Sequence, residues 1–299
     1  MTTRPFRRQV VALLVIGLTL LGPSARGATL VGWYQFDDPA NLGFDSSGYH
    51  NNGSIYNDGI PPTYSSSTSI EGAGSAYFNG TFNAQNFNFE GGGGRIDVPI
   101  NTGPLAMPDM SWGAWVKASL VDHGRYVLSS DQYNGGRTIG VDDRAADHFA
   151  AIVGNQSPWV YDTGVAASIG GWVFIGAVYR NNYYSAGVGD LTMYVGNQVF
   201  SGIQTHINNT SPSFTSIGGD AARERYWNGF IDNVFIYDGA LSQSEMTAII
   251  NNPTGSLLGA AAVPEIDPAG WGSVMGFVAG ALGLLDRRLP KRSRRDESI

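Results

Sequence analysis

The chain contains no cysteine. Disulfides, thiol catalysis, Cys-ligated zinc and iron–sulfur clusters are therefore all excluded. Histidine is sparse, and His50, His123, His148 and His206 show no metal-ligand spacing. Between residues 29 and 263 the only glutamates are Glu71, Glu90, Glu224 and Glu245. No Gly-x-Ser-x-Gly nucleophile elbow occurs. The Gly91–Gly94 run lacks the Lys-Ser/Thr of a phosphate loop and follows no parallel β-α pattern, so it reads as a flexible loop. No internal repeat of solenoid period is visible. These absences remove most enzyme classes before any residue is considered for a role.

Charge is also scarce, at 14% of residues, and it is unevenly placed. Residues 29–263 carry 20 acidic and 8 basic side chains, a net of −12, while the two ends hold the other 10 basic groups. An acidic body is a poor partner for nucleic acid and a good setting for hard cations such as calcium.

The ends read as addresses. Arg4, Arg7 and Arg8 precede an apolar run from Val10 to Leu21, broken by Gly22-Pro23 and followed by small residues through Ala28. That order predicts a secretory signal peptide over residues 1–28, because the run is shorter than the roughly 20 residues of a spanning helix. At the other end, 254–262 reads as a small-residue linker leading to Val263-Pro264-Glu265. An apolar segment, 270–285, then closes on a cluster of arginines. A helix over 270–285 would span a membrane with its basic tail on the cytoplasmic side. The order Pro-Glu box, apolar helix, arginine cluster resembles the PEP-CTERM sorting signal, here over 263–299. The resemblance implies handling by an exosortase and delivery to the cell surface, and the alternative is an ordinary anchor that is never cut.

What remains, residues 29–253, has the size of one all-β domain. Its abundance of glycine (41 in the chain) and aromatic residues (12%) suits strands joined by tight turns. Strands are expected at 30–36, 76–80, 95–99, 111–117, 126–130, 138–141, 148–153, 172–179, 191–195 and 198–200. In 111–117 the alternation sets Trp112, Ala114 and Val116 on one face and Trp115 on the other. The 172–179 segment is apolar on both faces, as a central strand requires. Ser242-Gln-Ser-Glu245 is a capping box opening a helix with Met246, Ile249 and Ile250 on one face, and Asn251-Asn252-Pro253 is expected to stop it.

An ordered set of motifs runs through this domain. Trp33-Tyr34-x-Phe36-Asp37 leads to Asp45-x-Ser47-Gly48 and Asn51-x-Gly53, then to Ala76-Tyr77-Phe78-Asn79-Gly80, the Trp115 strand and Gly171-Trp172. Gly229-Phe230-Ile231-Asp232-Asn233-Val234-Phe235-Ile236-Tyr237 closes it, with Ala240-Leu241-Ser242-x-x-Glu245 behind. The set resembles the laminin-G-like jelly-roll of the concanavalin A-like superfamily. That resemblance implies an all-β, antiparallel two-sheet sandwich, with adhesion to carbohydrate or protein as the commonest role.

Asp232 falls in phase with Phe230, Val234 and Ile236 on a regular strand. A carboxylate among core side chains needs a cation or several donors. The resemblance implies structural calcium there, with Asp37, Asp45 and carbonyls near Asn52 and Gly53 as further ligands. The alternative is that Asp232 caps a turn or pairs with an arginine such as Arg225. Sugar rings would stack on loop aromatics: Tyr133 beside Asn134, Trp159, Tyr161, Tyr183 and Tyr184, each of which could instead be partly buried. Trp115 and Trp172 read as core anchors. Retaining glycosidases of this superfold carry Glu-x-Asp-x-x-Glu on one strand, and no such motif occurs here; Asp142 and Asp143, being adjacent, would face opposite ways. The expectation is a non-catalytic, glycan-binding surface protein of the extracellular polysaccharide matrix. A structural protein that binds another surface protein and a glycan-active enzyme are the two alternatives.

Overall fold

The computed structural model describes residues 27–81, 92–131, 136–154, 158–206, 212–222 and 225–261. Two sheets face each other. The eight-stranded sheet holds β1 (Thr29–Tyr34), β3 (Thr63–Ser65), β4 (Ser75–Asn79), β6 (Met110–Ala118), β11 (Val173–Ser185), β12 (Val188–Val195), β13 (Gln198–His206) and β15 (Asn228–Asp238). The seven-stranded sheet holds β2 (Ser54–Asp58), β5 (Gly93–Val98), β7 (Arg125–Ser129), β8 (Arg137–Asp142), β9 (His148–Val153), β10 (Val160–Ala166) and β14 (Thr215–Ile217). The pairings between these strands are antiparallel. The last strand in sequence, β15, is central in space: it pairs with β1, β4 and β6.

The alternation of apolar residues builds two cores. Trp112, Ala114 and Val116 of β6 point between the sheets, with Ile175, Ala177 and Tyr179 of β11 and Ile139, Val141, Phe149 and Ala151 from the opposite sheet. Trp115, Phe174 and Val178 point the other way, onto the outer face of the eight-stranded sheet. That face is roofed by helices α1 (Gln243–Asn251) and α2 (Pro253–Ala261), through Met246, Ile249 and Leu257. The capping box forms as the sequence requires: Ser242 Oγ accepts from the Glu245 N–H, and the Glu245 carboxylate accepts from the Ser242 N–H at 2.7 Å. Trp115 is buried, and Trp172 is half-buried against the same cluster, its indole N–H donating to Thr68.

Several expectations need correction. Asn251-Asn252-Pro253 does stop α1, with Asn252 as its C-cap, but Pro253 then opens a second helix, α2, a position that suits proline because a helix's first N–H has no partner anyway. Residues 254–261, expected as linker, are therefore helical. Gly93 and Gly94 belong to β5 rather than to a loop. Any side chain at Gly93 would run into the ring of Tyr226, so glycine is required there by close packing. The expectations for 1–26 and for 263–299, with the helix 270–285, concern stretches outside the described residues. Among the described residues no helix is long and apolar enough to cross a membrane.

Candidate functional site

The strand carrying Asp232 is not regular. Asn233 has φ +46°, and the register of β15 against β6 shifts between Asp232 and Phe235. A bulge inserts one residue and so swaps the faces on either side of it. Asp232 pairs with Trp115 and faces outward, whereas Val234 and Ile236 face the inter-sheet core. The shared face expected for these three residues is thus corrected. Asn233 Oδ1, freed by the bulge, accepts from the Trp33 indole N–H at 3.2 Å.

Facing outward, Asp232 meets the loop 70–74. Its Oδ2 accepts from the Ile70 N–H at 2.7 Å and its Oδ1 from the Asn233 N–H at 2.8 Å; the Glu71 N–H also bonds to the carboxylate. Asp37 grips the same loop, accepting from the N–H groups of Ala73 and Gly74. Asp232 is fully buried, and burial pushes its carboxyl up to about 7 against the pull of these three donors, with the charge of Asp37 adding to the rise. Among the described residues no Lys or Arg forms an ion pair with either carboxylate. Arg225, the alternative partner, lies elsewhere, 3.9 Å from Asp142.

Two neighbouring carboxylates, one of them costly to ionise, have the charge and the oxygen chemistry that a hard cation takes. Asp45, expected as a further ligand, is engaged otherwise. Asp45 Oδ1 accepts from the N–H groups of Trp33 and Ser47, and Oδ2 from Ser47 Oγ and the Asn51 N–H, all at 2.8–2.9 Å. Four donors occupy the four acceptor positions of a carboxylate. Asn52 Oδ1 accepts from the Asp45 N–H, and Gly53 donates to the Gly43 carbonyl at 2.7 Å. Asp45 and the Asn52 side chain thus close the turn after β1 through bonds to protein. Only Asp37 stays with Asp232, and among the described residues no three His, Asp or Glu converge on a metal-sized space.

The expected sugar-binding aromatics divide. Tyr161 is buried and leaves the set; it alternates with exposed Asp162 on β10 and points into the inter-sheet core. Tyr133 and Asn134 lie outside the described residues. Tyr183 (60% exposed), Trp159 (45%) and Tyr184 (41%) present their rings to solvent. Tyr183 and Tyr184 sit at the tip of the β11–β12 hairpin, ring centroids 5.0 Å apart and nearly perpendicular. Asp190 holds them: it accepts from Tyr184 Oη at 2.9 Å and pairs with Arg180 at 2.9 Å, and the Arg180 guanidinium lies 5.6 Å from the Tyr183 ring.

Trp159 belongs to the same end of the sandwich. Its carbonyl accepts from the Val153 N–H, and Val153 lines a water-sized crevice of about 10 Å³ with Arg180, Asp190 and His206. Arg137 anchors this end from inside. It is buried, donates to the carbonyls of Thr102, Met107 and Pro108 and to Asn181 Oδ1, and stacks 4.8 Å from the Tyr179 ring. Burial lowers its guanidinium to about 10.

Single-residue reading missed the outer face of the seven-stranded sheet. Arg144 clasps Asp142 through Nε and Nη2 at 2.8 and 2.6 Å, Tyr126 Oη donates to Asp142 at 3.3 Å, and Arg225 lies over the Tyr126 ring. Burial raises the Asp142 carboxyl, but its bonds to Arg144 and the charge of Arg225 prevail and hold it below the usual range. Ser216 donates to Asp97 at 2.7 Å, and Ser129 and Thr138 bond each other at 2.8 Å along one row of the sheet. A usable signal was the spacing Thr138-x-Gly140-x-Asp142, polar or small on every second residue, with Arg144 two residues on; Tyr126 and Arg225 come from other parts of the chain and left no local trace.

Residues 90–247 match the Laminin_G_3 family model, described as the concanavalin A-like lectin/glucanases superfamily. Among solved structures, the chain is similar to domain 4 of AbnA, an extracellular arabinanase of Geobacillus stearothermophilus determined with arabinotriose. The TM-score is 0.54 at 20% identity, over 75% of this chain and all of that one. It is also similar to the receptor-binding domain of botulinum neurotoxin C/D mosaic serotype, with a TM-score of 0.50 and 13% identity. That match covers 75% of this chain and about half (51%) of the toxin domain. Likenesses at such identities speak to the fold alone. No curated protein matches the sequence. The family match, spanning β5 to α1 and including both sheets, places the chain in the concanavalin A-like lectin/glucanase superfamily.

Proposed function

We propose that the protein is an exported, non-catalytic glycan-binding protein that acts at the cell surface, in the extracellular polysaccharide matrix. The observation that carries this reading is the exposed Tyr183–Tyr184 pair, braced by Asp190 and Arg180, with Trp159 at the same end. Aromatic faces in water offer the apolar side of a sugar ring a surface to stack on, while neighbouring carboxylate and guanidinium groups bond its hydroxyls. The superfamily scaffold, and a neighbour determined with arabinotriose, support the same class of ligand. The neighbouring carboxylates of buried Asp232 and half-buried Asp37 would hold structural calcium, completed by carbonyl and water oxygens. Asp142 is bound on both oxygens and held ionised by arginine, which suits a structural role better than proton transfer.

Delivery in this reading uses residues 1–28 for export and Val263-Pro264-Glu265 with the apolar segment 270–285 for sorting by an exosortase-type enzyme. The test is binding to a panel of bacterial and algal polysaccharides, with calcium and with chelator. Saturable binding that falls about fivefold in Tyr183→Ala or Trp159→Ala supports the reading, a stacked ring being worth about 1 kcal/mol. Binding by neither wild type nor variants under either condition would replace it with a protein-adhesion role.

A further inference from the structure

A second surface feature lies on the segment between β1 and β2, away from the hairpin tip. Gln35, Phe36, Asp37, Asp38, Asn41, Phe44 and Ser46 line a cleft of about 290 Å³. Successive turns build its wall: the Asn41 N–H bonds the Asp38 carbonyl at 3.2 Å, and the Phe44 N–H bonds the Asn41 carbonyl at 3.1 Å. The turn is pinned from behind by Gly43, whose carbonyl accepts from the Gly53 N–H and which has no room for a side chain against Gly53. Phe36 lies buried in the floor, with φ +56°. Phe44 stands at the rim with 47% of its surface exposed.

The polar lining is unspent. Asp38 accepts from the Ala40 N–H through one oxygen only, and Asp37 bonds the 70–74 loop through one oxygen only. The side chains of Gln35, Asn41 and Ser46 form no hydrogen bond with the described residues. An apolar floor, an exposed ring at the mouth and several free donors and acceptors are the makings of a small-molecule site, and the volume sits at the lower end for one.

We propose that this cleft is a second carbohydrate subsite, taking an uncharged sugar unit with its apolar face on Phe44 and its hydroxyls on Asn41, Gln35 and Asp38. With Asp37 committed to the cation beside Asp232, Asp38 is the carboxylate left to the ligand, and with no cationic side chain in the lining it opposes uronic acids. Asn41 and Gln35 each offer a donor and an acceptor, a set that matches the hydroxyls of a neutral polyol. The inference rests on the glycan-binding reading above and adds a place and a charge class to it. With the hairpin tip it makes the protein bivalent along one polysaccharide or between two.

The test is titration calorimetry of the full chain with neutral, uronate and amino-sugar oligosaccharides, comparing wild type, Phe44→Ala, Asn41→Ala and Tyr183→Ala. The expected result is two sites per chain for a neutral oligosaccharide. Phe44→Ala and Asn41→Ala remove one site, or weaken it about tenfold, while Tyr183→Ala affects the other. Thermal melting equal to wild type in Asn41→Ala, an exposed position, guards against an unfolded variant. Binding that these two changes leave untouched overturns the cleft and spares the glycan reading. Loss confined to uronate or amino-sugar ligands overturns the assignment of an uncharged unit. Failure of wild type to bind any of the three overturns both.

Discussion

Asp232 offers the sharpest handle on the fold's electrostatics. An aspartate in an unfolded chain titrates near 3.9, and in the folded protein burial raises this one to about 7. Between those values the folded state holds a proton that the unfolded state has lost. Stability of the cation-free protein therefore falls as pH rises from about 4 to about 7, and is level beyond. At about 1.36 kcal/mol per pH unit the fall is on the order of 4 kcal/mol. For a domain of this size that amounts to roughly 10 °C in Tm. Saturating calcium should restore most of it above pH 7, since the cation pairs with the ionised form. Other carboxylates, such as Asp142, pull the opposite way: held low in the folded state, they lose their contribution as pH falls. The informative quantity is thus the Tm of wild type minus that of Asp232→Asn, followed by calorimetry across pH in chelator and then in calcium. In chelator the difference should decline through the pH window, and calcium should raise wild type alone. A difference that stays flat from about pH 4 to 7, or calcium stabilising both proteins alike, would refute the reasoning.

Other outcomes follow from the same geometry. Asp45→Ala strands the N–H groups of Trp33, Ser47 and Asn51, and should cost roughly 3–5 kcal/mol in urea unfolding with calcium stabilisation intact. Asn233→Ala keeps a left-handed backbone that alanine resists, and removes the acceptor of the Trp33 indole. A loss of about 2–3 kcal/mol with a weakened calcium response is expected, the latter because the bulge aims Asp232. Mass spectrometry of surface-retained protein should show a C-terminus near Glu265; an intact chain ending at Ile299 contradicts sorting by cleavage.

Legibility from sequence followed burial. The β6 and β11 segments announced themselves because each places large apolar side chains on a fixed alternation, and tertiary packing agreed with it. Strands β2 and β3 bury no residue fully and β10 only Tyr161 and Thr163, leaving no apolar rhythm to detect, while β14, wholly buried, is only three residues long. The Gly93-Gly94 start of β5 was concealed by a choice of residue that only makes sense once Tyr226 is packed on it. Among site residues, the pairing of Asp232 with Asp37 was accessible, but the face of Asp232 was misjudged: one inserted residue at Asn233 changes the phase of everything after it. Asp45 was readable as an important carboxylate and misassigned in kind, since its four protein donors depend on how the turn through Asn51 folds back.

The position of β15 bears on how the protein can come to be folded. The strand that joins β1, β4 and β6 into one sheet is the last to be made of the fifteen among the described residues, and Trp33 meets Asn233 across 200 residues of chain. Pairings so distant in sequence form slowly, because a long loop must close before any contact rewards it. A chain emerging from its N-terminus therefore carries β1, β6 and β11 with their apolar faces open until residues 228–238 arrive, and the helices that cover the outer face arrive later still. Over that interval the nascent chain depends on something other than its own core for solubility. Truncation before residue 228 removes the middle of a sheet, and should yield aggregate in place of a smaller domain.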